Sequence, residues 1–278
     1  MTSKPPEVPF SSASTTRENP MGNATTHHFS VSPATRSGLL PAGLVALTIG
    51  SAVQAQPTEN AAFGSFGGSL TIATDYMFRG ISNSNEKPQI QGDINWSHES
   101  GVYAGLWASN TDFGGTGNSM ELDPYIGFAN SIGDSGFSYD VGYWLYTYPG
   151  SDLDFDYSEL YAIATWTSGE LSISPSVWYA DNYFGEDFLD DVEGLAYDLT
   201  ISHSLPWNMN ASARIGEQTF REGGNGLDYL FYDIGVTRAI GNFSLGLRWH
   251  DTDGVKAALI ADRDLAEGRF VFNVTREF

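Results

Sequence analysis

Cysteine is absent from this chain of 278 residues, which excludes a disulfide framework, a thiol nucleophile and a cysteine-based metal site. Basic residues are scarce. Only 13 Lys and Arg stand against 34 Asp and Glu, for a formal charge of −21. A protein that grips phosphate backbones needs a basic surface, so nucleic acid is excluded as a general partner. No run of eighteen apolar residues occurs, and none of the segments can therefore cross a bilayer as a helix. The His-Glu-x-x-His pattern of zinc peptidases and the Gly-x-Ser-x-Gly nucleophile elbow are missing too. Nothing in the sequence asks for a metal or any other cofactor.

What the chain does have is alternation. From about Ser69 onward, side chains switch between apolar and polar at every second residue, a period that fits strands and excludes helices. Ile90, Gly92, Ile94 and Trp96 oppose Gln89, Gln91, Asp93 and Asn95. Phe137, Tyr139, Val141, Tyr143 and Leu145 oppose Ser138, Asp140, Gly142, Trp144 and Tyr146. Leu195, Tyr197, Leu199 and Ile201 oppose Ala196, Asp198, Thr200 and Ser202, and the pattern recurs to the last residue. The first such segment is read over Leu70–Arg79, with Leu70, Ile72, Tyr76 and Phe78 on one face.

The links between segments alternate as well. Short ones (His98-Glu99-Ser100-Gly101, Gly133-Asp134-Ser135-Gly136, Thr167-Ser168-Gly169) interleave with longer ones at 80–87, 110–119, 149–154 and 181–191. Tight turns on one side and loops on the other are the rhythm of a chain that crosses a bilayer repeatedly as strands. The expected fold is all-β: a closed antiparallel transmembrane β-barrel of about twelve strands, within roughly ten to fourteen, spanning residues 69–278. A secreted β-sandwich also alternates, but it has no reason to alternate its link lengths in this way. Aromatics near segment ends (Tyr76, Trp96, Trp166, Tyr179, Trp249) suit the girdles found at membrane interfaces.

Residues 1–55 read as an N-terminal signal peptide with a polar extension. Arg36 precedes the apolar run Gly38–Gly50, and Ser51-Ala52-Val53-Gln54-Ala55 supplies small residues for cleavage near Ala55. A start at Met21 would give a more ordinary leader length. Residues 56–68 read as a flexible lead-in. The leader holds three basic and two acidic residues, so the remainder carries 10 against 32, or −22. Export and a barrel together imply the outer membrane of a Gram-negative bacterium.

Alternation also assigns an inner face. Asp75, Arg79, Asp93, Glu121, Asp123, Asp140, Glu159, Asp198, Arg214, Asp233 and Arg248 fall on the polar side, where they would line the lumen and favour cations. The expected function is passive diffusion of small hydrophilic solutes through this acidic lumen. A barrel without transport, structural or adhesive, is the first alternative. An outer-membrane hydrolase with a rim site at His250 and Asp251 is the second. Asp152, Asp154 and Asp156 read first as an acidic surface loop; the alternative is that, with Glu186, Asp187, Asp190 and Asp191, they gather divalent ions that bridge lipopolysaccharide phosphates. The set lacks the Gly and Glu of a calcium loop, since Tyr157 and Ile163 stand in their places. Terminal Phe278, closing an amphipathic segment with Phe270, Phe272 and Val274, is an expected signal to the barrel-assembly machinery. The expected partners are thus lipid and lipopolysaccharide, that machinery, and small hydrophilic solutes.

A series of short motifs adds a resemblance. Ala73-Thr74-Asp75-Tyr76-Met77-Phe78-Arg79-Gly80-Ile81-Ser82 is followed by Lys87-Pro88, by His98–Asn110, by Glu121-Leu122-Asp123-Pro124-Tyr125, and by Tyr139–Tyr143 and Tyr146–Gly150. In this order they resemble the TorF family of porins, proteobacterial outer-membrane proteins, densely over residues 69–166 and more loosely over 167–278. The resemblance implies a porin-like barrel. The stretch 255–268 is long for its place and is expected to contain an extra short strand or helix.

Overall fold

A computed structural model describes residues 63–278 apart from 190 and 261; the expected signal peptide and most of the lead-in lie outside the described residues. In chain order the strands are β1 (Ser65–Ala73), β2 (Met77–Phe78), β3 (Ile81–Ser82), β4 (Gln89–Ser97), β5 (Val102–Asn110), β6 (Met120–Ser131) and β7 (Phe137–Tyr146). They continue as β8 (Tyr157–Ser168), β9 (Leu171–Ala180), β10 (Gly194–Leu205), β11 (Met209–Phe220), β12 (Tyr229–Ile240), β13 (Phe243–Asp253) and β14 (Arg269–Glu277). All but β2 and β3 join one closed antiparallel barrel of twelve strands, each pairing with its chain neighbour. The ends meet where β1 pairs with β14, in register from Ser69↔Glu277 to Ala73↔Asn273. At that seam the Gly68 and Phe278 backbones exchange two hydrogen bonds.

Closure follows from the solvent outside. In hydrocarbon an unpaired backbone N–H or C=O costs several kcal/mol, so a spanning sheet can keep no edge. The outer wall is correspondingly apolar: Leu70, Ile72, Ile90, Ile94, Ile126, Val141, Leu160, Ile215, Ile234 and Phe272 all point away from the lumen and are exposed. The strands of nine to twelve residues match a tilted bilayer crossing. Trp166 and Tyr179 stand outward near strand ends. Trp249 does so edge-on to Phe270, at 4.8 Å between ring centres.

Two boundaries depart from the sequence reading. β1 begins at Ser65, five residues before the expected Leu70, and it ends at Ala73 rather than Arg79. Beyond Ala73 the chain leaves the wall and turns into the lumen as the β2–β3 hairpin. Tyr76 and Phe78, expected on the lipid face with Tyr76 in a girdle, are instead buried inside. The period of two continues through this segment because the hairpin is itself extended, which is why alternation could not show where the wall stops. The long 254–268 link holds the expected extra element, a single 3-10 turn at Arg263–Ala266 whose N-terminus is capped by Asp262.

Inside, tyrosine rings lie flat across glycines on the neighbouring strand. Tyr103 faces Gly127, Tyr125 faces Gly105 and Tyr161 faces Gly142. A Cβ on Gly127 would sit 2.2 Å from the Tyr103 hydroxyl oxygen, and one on Gly105 would sit 2.3 Å from that of Tyr125. Ring over glycine fills the wall and covers backbone that a bare strand would leave open. Valine at Gly127 must displace the ring, and Gly127→Val is expected to cost about 1–3 kcal/mol. Gly92→Ala, on the outer face with only the Ser69 carbonyl at 3.7 Å, should stay within about 0.5 kcal/mol. Urea midpoints of the two variants refolded in micelles check this; equal midpoints would show that the ring does not rest there.

Candidate functional site: a bridged lumen

Arg79 and Gly80 form the tip of the β2–β3 hairpin with φ of 45° and 81°. Two successive positive φ values make a type I′ turn. Glycine is required at the second position, where a Cβ would lie 2.5 Å from Thr252 Cγ2. An arginine in the left-handed region is strained unless its surroundings hold it there. Its surroundings do: Arg79 Nη1 and Nη2 each donate to one oxygen of Glu159 on β8, both at 2.8 Å. Nη1 also donates to Gln218 Oε1 on β11 at 2.6 Å. Tyr146 donates to Glu159 at 2.9 Å, and the guanidinium lies 4.8 Å over the Phe78 ring and 5.8 Å over Trp178. The hairpin enters between β1 and β4 and ties itself to strands on the far wall, so the lumen is bridged.

The base of the hairpin is pinned at the seam. Ser82 and Ser84 donate to Asp75 Oδ1 at 2.6 and 2.8 Å. Arg269 of β14 pairs with Asp75 at 3.0 Å and with Glu86 at 2.6 Å. Above the bridge, on the long-loop side, Lys87 pairs with Asp112 at 2.5 Å. That hydrogen bond, with one from the Gly114 N–H, holds the Asp112 carboxyl below its ordinary range.

Below the bridge, toward the short turns, the remaining inward charges are partnered side by side. Asp233 lies between Arg214, at 3.1 Å, and Arg248. Asp93 accepts from Tyr125 at 2.8 Å, Asp198 from Ser176 at 2.6 Å, and Asp123 from Trp144 Nε1 at 3.0 Å. Asp140 accepts from Tyr103, which also meets the Tyr161 hydroxyl. Glu121, at the long-loop end of β6, accepts from Tyr148 at 3.3 Å. A cavity of about 110 Å³ lies below the bridge, among Thr71, Gln89, Gln91, Trp107, Arg248 and Thr275. A second, of about 430 Å³, lies on the other side of the hairpin, and no residue lines both.

All eleven residues assigned to the lumen by alternation thus face the interior. Nine of them do so from strands of the wall. Asp75 and Arg79 reach it on the inserted hairpin. Sequence reading missed Gln218, Arg269, Glu86 and Tyr183. Gln218 was legible, since Arg214, Gly216 and Gln218 alternate inward along β11; Arg269 was hidden because its strand was read only from Phe270 onward. The rim pair is a correction. His250 faces the lumen opposite Asp233, whereas Asp251 faces outward opposite Tyr232 and accepts from its hydroxyl at 3.1 Å. Successive residues of a strand point to opposite faces, so the two cannot work as a dyad. The acidic loop set lies on the long loops, and its Asp190 is outside the described residues. Asp154, Asp156 and Asp187 accept backbone N–H groups of residues 156, 148 and 154, and among the described residues no group of three or more His, Asp or Glu could hold a metal ion.

Removing Arg79 leaves Glu159 buried and unpaired, so Arg79→Ala should lose about 3–5 kcal/mol. Adding Glu159→Gln should restore much of that loss. Denaturant unfolding in micelles for the two single variants and the double variant measures the coupling; additive losses would show that the bridge does not form.

Residues 57–278 match the family described as "Bacterial protein of unknown function (Gcw_chp)", and the chain belongs to that family. No curated protein matches the sequence. Among solved structures the barrel is similar to the KdgM porin, with a TM-score of 0.53 and 8% identity over 76% of this chain and 99% of that one. KdgM in complex with disordered oligogalacturonate gives 0.51 and 9% over 77% and 98%. The NanC porin gives 0.51 and 8% over 77% and 99%. At these identities the likeness shows a shared outer-membrane porin fold.

Proposed function

We propose that this member of the Gcw_chp family is an outer-membrane porin through which small hydrophilic solutes diffuse passively, with a mild preference for cations. The carrying observation is the balance of interior charge. Asp75, Asp93, Glu121, Asp123, Asp140, Glu159, Asp198 and Asp233 face inward against Arg79, Arg214, Arg248 and Arg269. A lumen of one dominant sign concentrates the opposite ion. The porin fold, the apolar outer wall and the TorF-like motifs all support this reading. The same charge balance argues against the polyanionic sugar found with KdgM as a solute here. Lipid and lipopolysaccharide meet the outer wall in this proposal, and exposed Phe278, just after the last strand, addresses the assembly machinery.

The Arg79–Glu159 bridge sets the constriction. Solutes pass only beside the hairpin or when it swings aside, so unitary conductance is small. That same bridge favours a second reading, a structural barrel closed to solutes. Planar-bilayer recording separates the two. Small discrete steps are expected, with a reversal potential toward potassium over chloride and a several-fold larger step in Arg79→Ala. Silence from both proteins would overturn permeation, and a chloride preference would overturn the charge argument.

A further inference from the structure

The 430 Å³ cavity on the long-loop side of the hairpin is walled by aromatic rings and by aliphatic side chains of the 255–268 link, with few polar groups. Phe78 forms its floor, with Phe113, Phe155, Phe184, Phe188 and Phe220 around it. The rings brace one another: Phe113 meets Phe155 at 5.7 Å, Phe184 stacks on Phe220 at 5.1 Å, and Phe188 lies 5.6 Å from Phe184. Phe188 and Leu153 remain exposed at the rim. Apolar surface gathered at an end of the barrel that faces water signals something to cover it.

We propose that this cup is a binding site for an uncharged, one- or two-ring hydrocarbon-rich molecule. Volume comes first. A dry cavity of about 150 Å³ accepts benzene, and ligand pockets run from about 300 to 1,000 Å³, so a small ring system fits. Hydrogen bonding comes second, because Ser82, Thr116, Tyr148 and Tyr183 already have partners, which leaves few open polar side chains, the Tyr229 hydroxyl among them, in the wall. Ser82 donates to Asp75 and accepts from the Glu86 N–H. Thr116 donates to Asn118. The Tyr148 hydroxyl is turned to Glu121, and that of Tyr183 to Arg79. A sugar entering the cup would surrender its water for ring faces and little else. Charge comes third. The loops around the cup carry Asp152, Asp154, Glu186 and Asp187 against Lys256, while Asp112 is paired with Lys87; the acidic excess disfavours an anion. Shape, the scarcity of open polar groups and charge agree on a neutral apolar ring.

The test is a fluorine NMR titration of the full protein in lipid nanodiscs. The probes are fluorobenzene, 4-fluorobenzoate and a fluorinated glucose, and empty nanodiscs give the lipid background. Saturable fluorobenzene binding is expected, at least tenfold tighter than either comparison probe. Ala258→Trp fills the cup from an exposed loop position, and Phe188→Ser opens its rim. Each should weaken fluorobenzene at least tenfold while the barrel still shows its folded gel mobility. Absence of saturable binding above the lipid background would overturn the proposal. So would binding untouched by both variants, or tighter binding of the sugar or the benzoate. No current is read, so the result stands whether or not the barrel conducts.

Discussion

Everything in this molecule depends on the rule that hydrocarbon supplies no partner to a peptide group. A sheet immersed in it must close, and closure at twelve strands leaves an interior lined by every second residue of every strand. The outer face is then fixed as apolar and loses freedom to carry function. Whatever the protein does is confined to the lumen and the loops. That confinement is why its charges, scattered through the sequence, converge on one small volume.

Within that volume the arginine–glutamate bridge is better understood as a device for position than as a source of stability. A buried ion pair roughly cancels its own desolvation. Its value lies in what happens when the partner is missing, since an uncompensated carboxylate inside the barrel is costly. Arg79 therefore holds the hairpin in one place and one register, and it lets an arginine occupy a backbone conformation that it would otherwise avoid. The hairpin in turn divides the interior into two compartments of different character. The one toward the short turns mixes amide, hydroxyl and charged groups with rings such as Trp107 and Trp144. The other is lined by rings and aliphatic side chains.

Much of this was legible in the sequence, for a physical reason. Lipid and water on opposite faces of one strand impose a period of two, and Gln89–Ser97 or Phe137–Tyr146 carry it so plainly that wall and lumen residues separate by inspection. The hairpin was not legible, because Tyr76 and Phe78 keep the same period after the chain has left the wall; alternation reports extended backbone and says nothing of where it runs. The splitting of His250 from Asp251 follows from the same period and was open to view. The pairing of Arg79 with Glu159, eighty residues on, depends on the closed circuit of strands and has no local signal at all.

One feature bears on how the barrel comes together. The base of the hairpin follows the first strand, yet its ion pairs, Asp75 and Glu86 with Arg269, wait on a residue that opens the last. Until the C-terminal strand arrives, the tip can dock on Glu159 but the base lacks its own anchor and Asp75 has no counter-charge. Full seating of the hairpin is thereby conditional on a completed circumference: an unfinished cylinder holds the insert by one end, and only a finished one locks both.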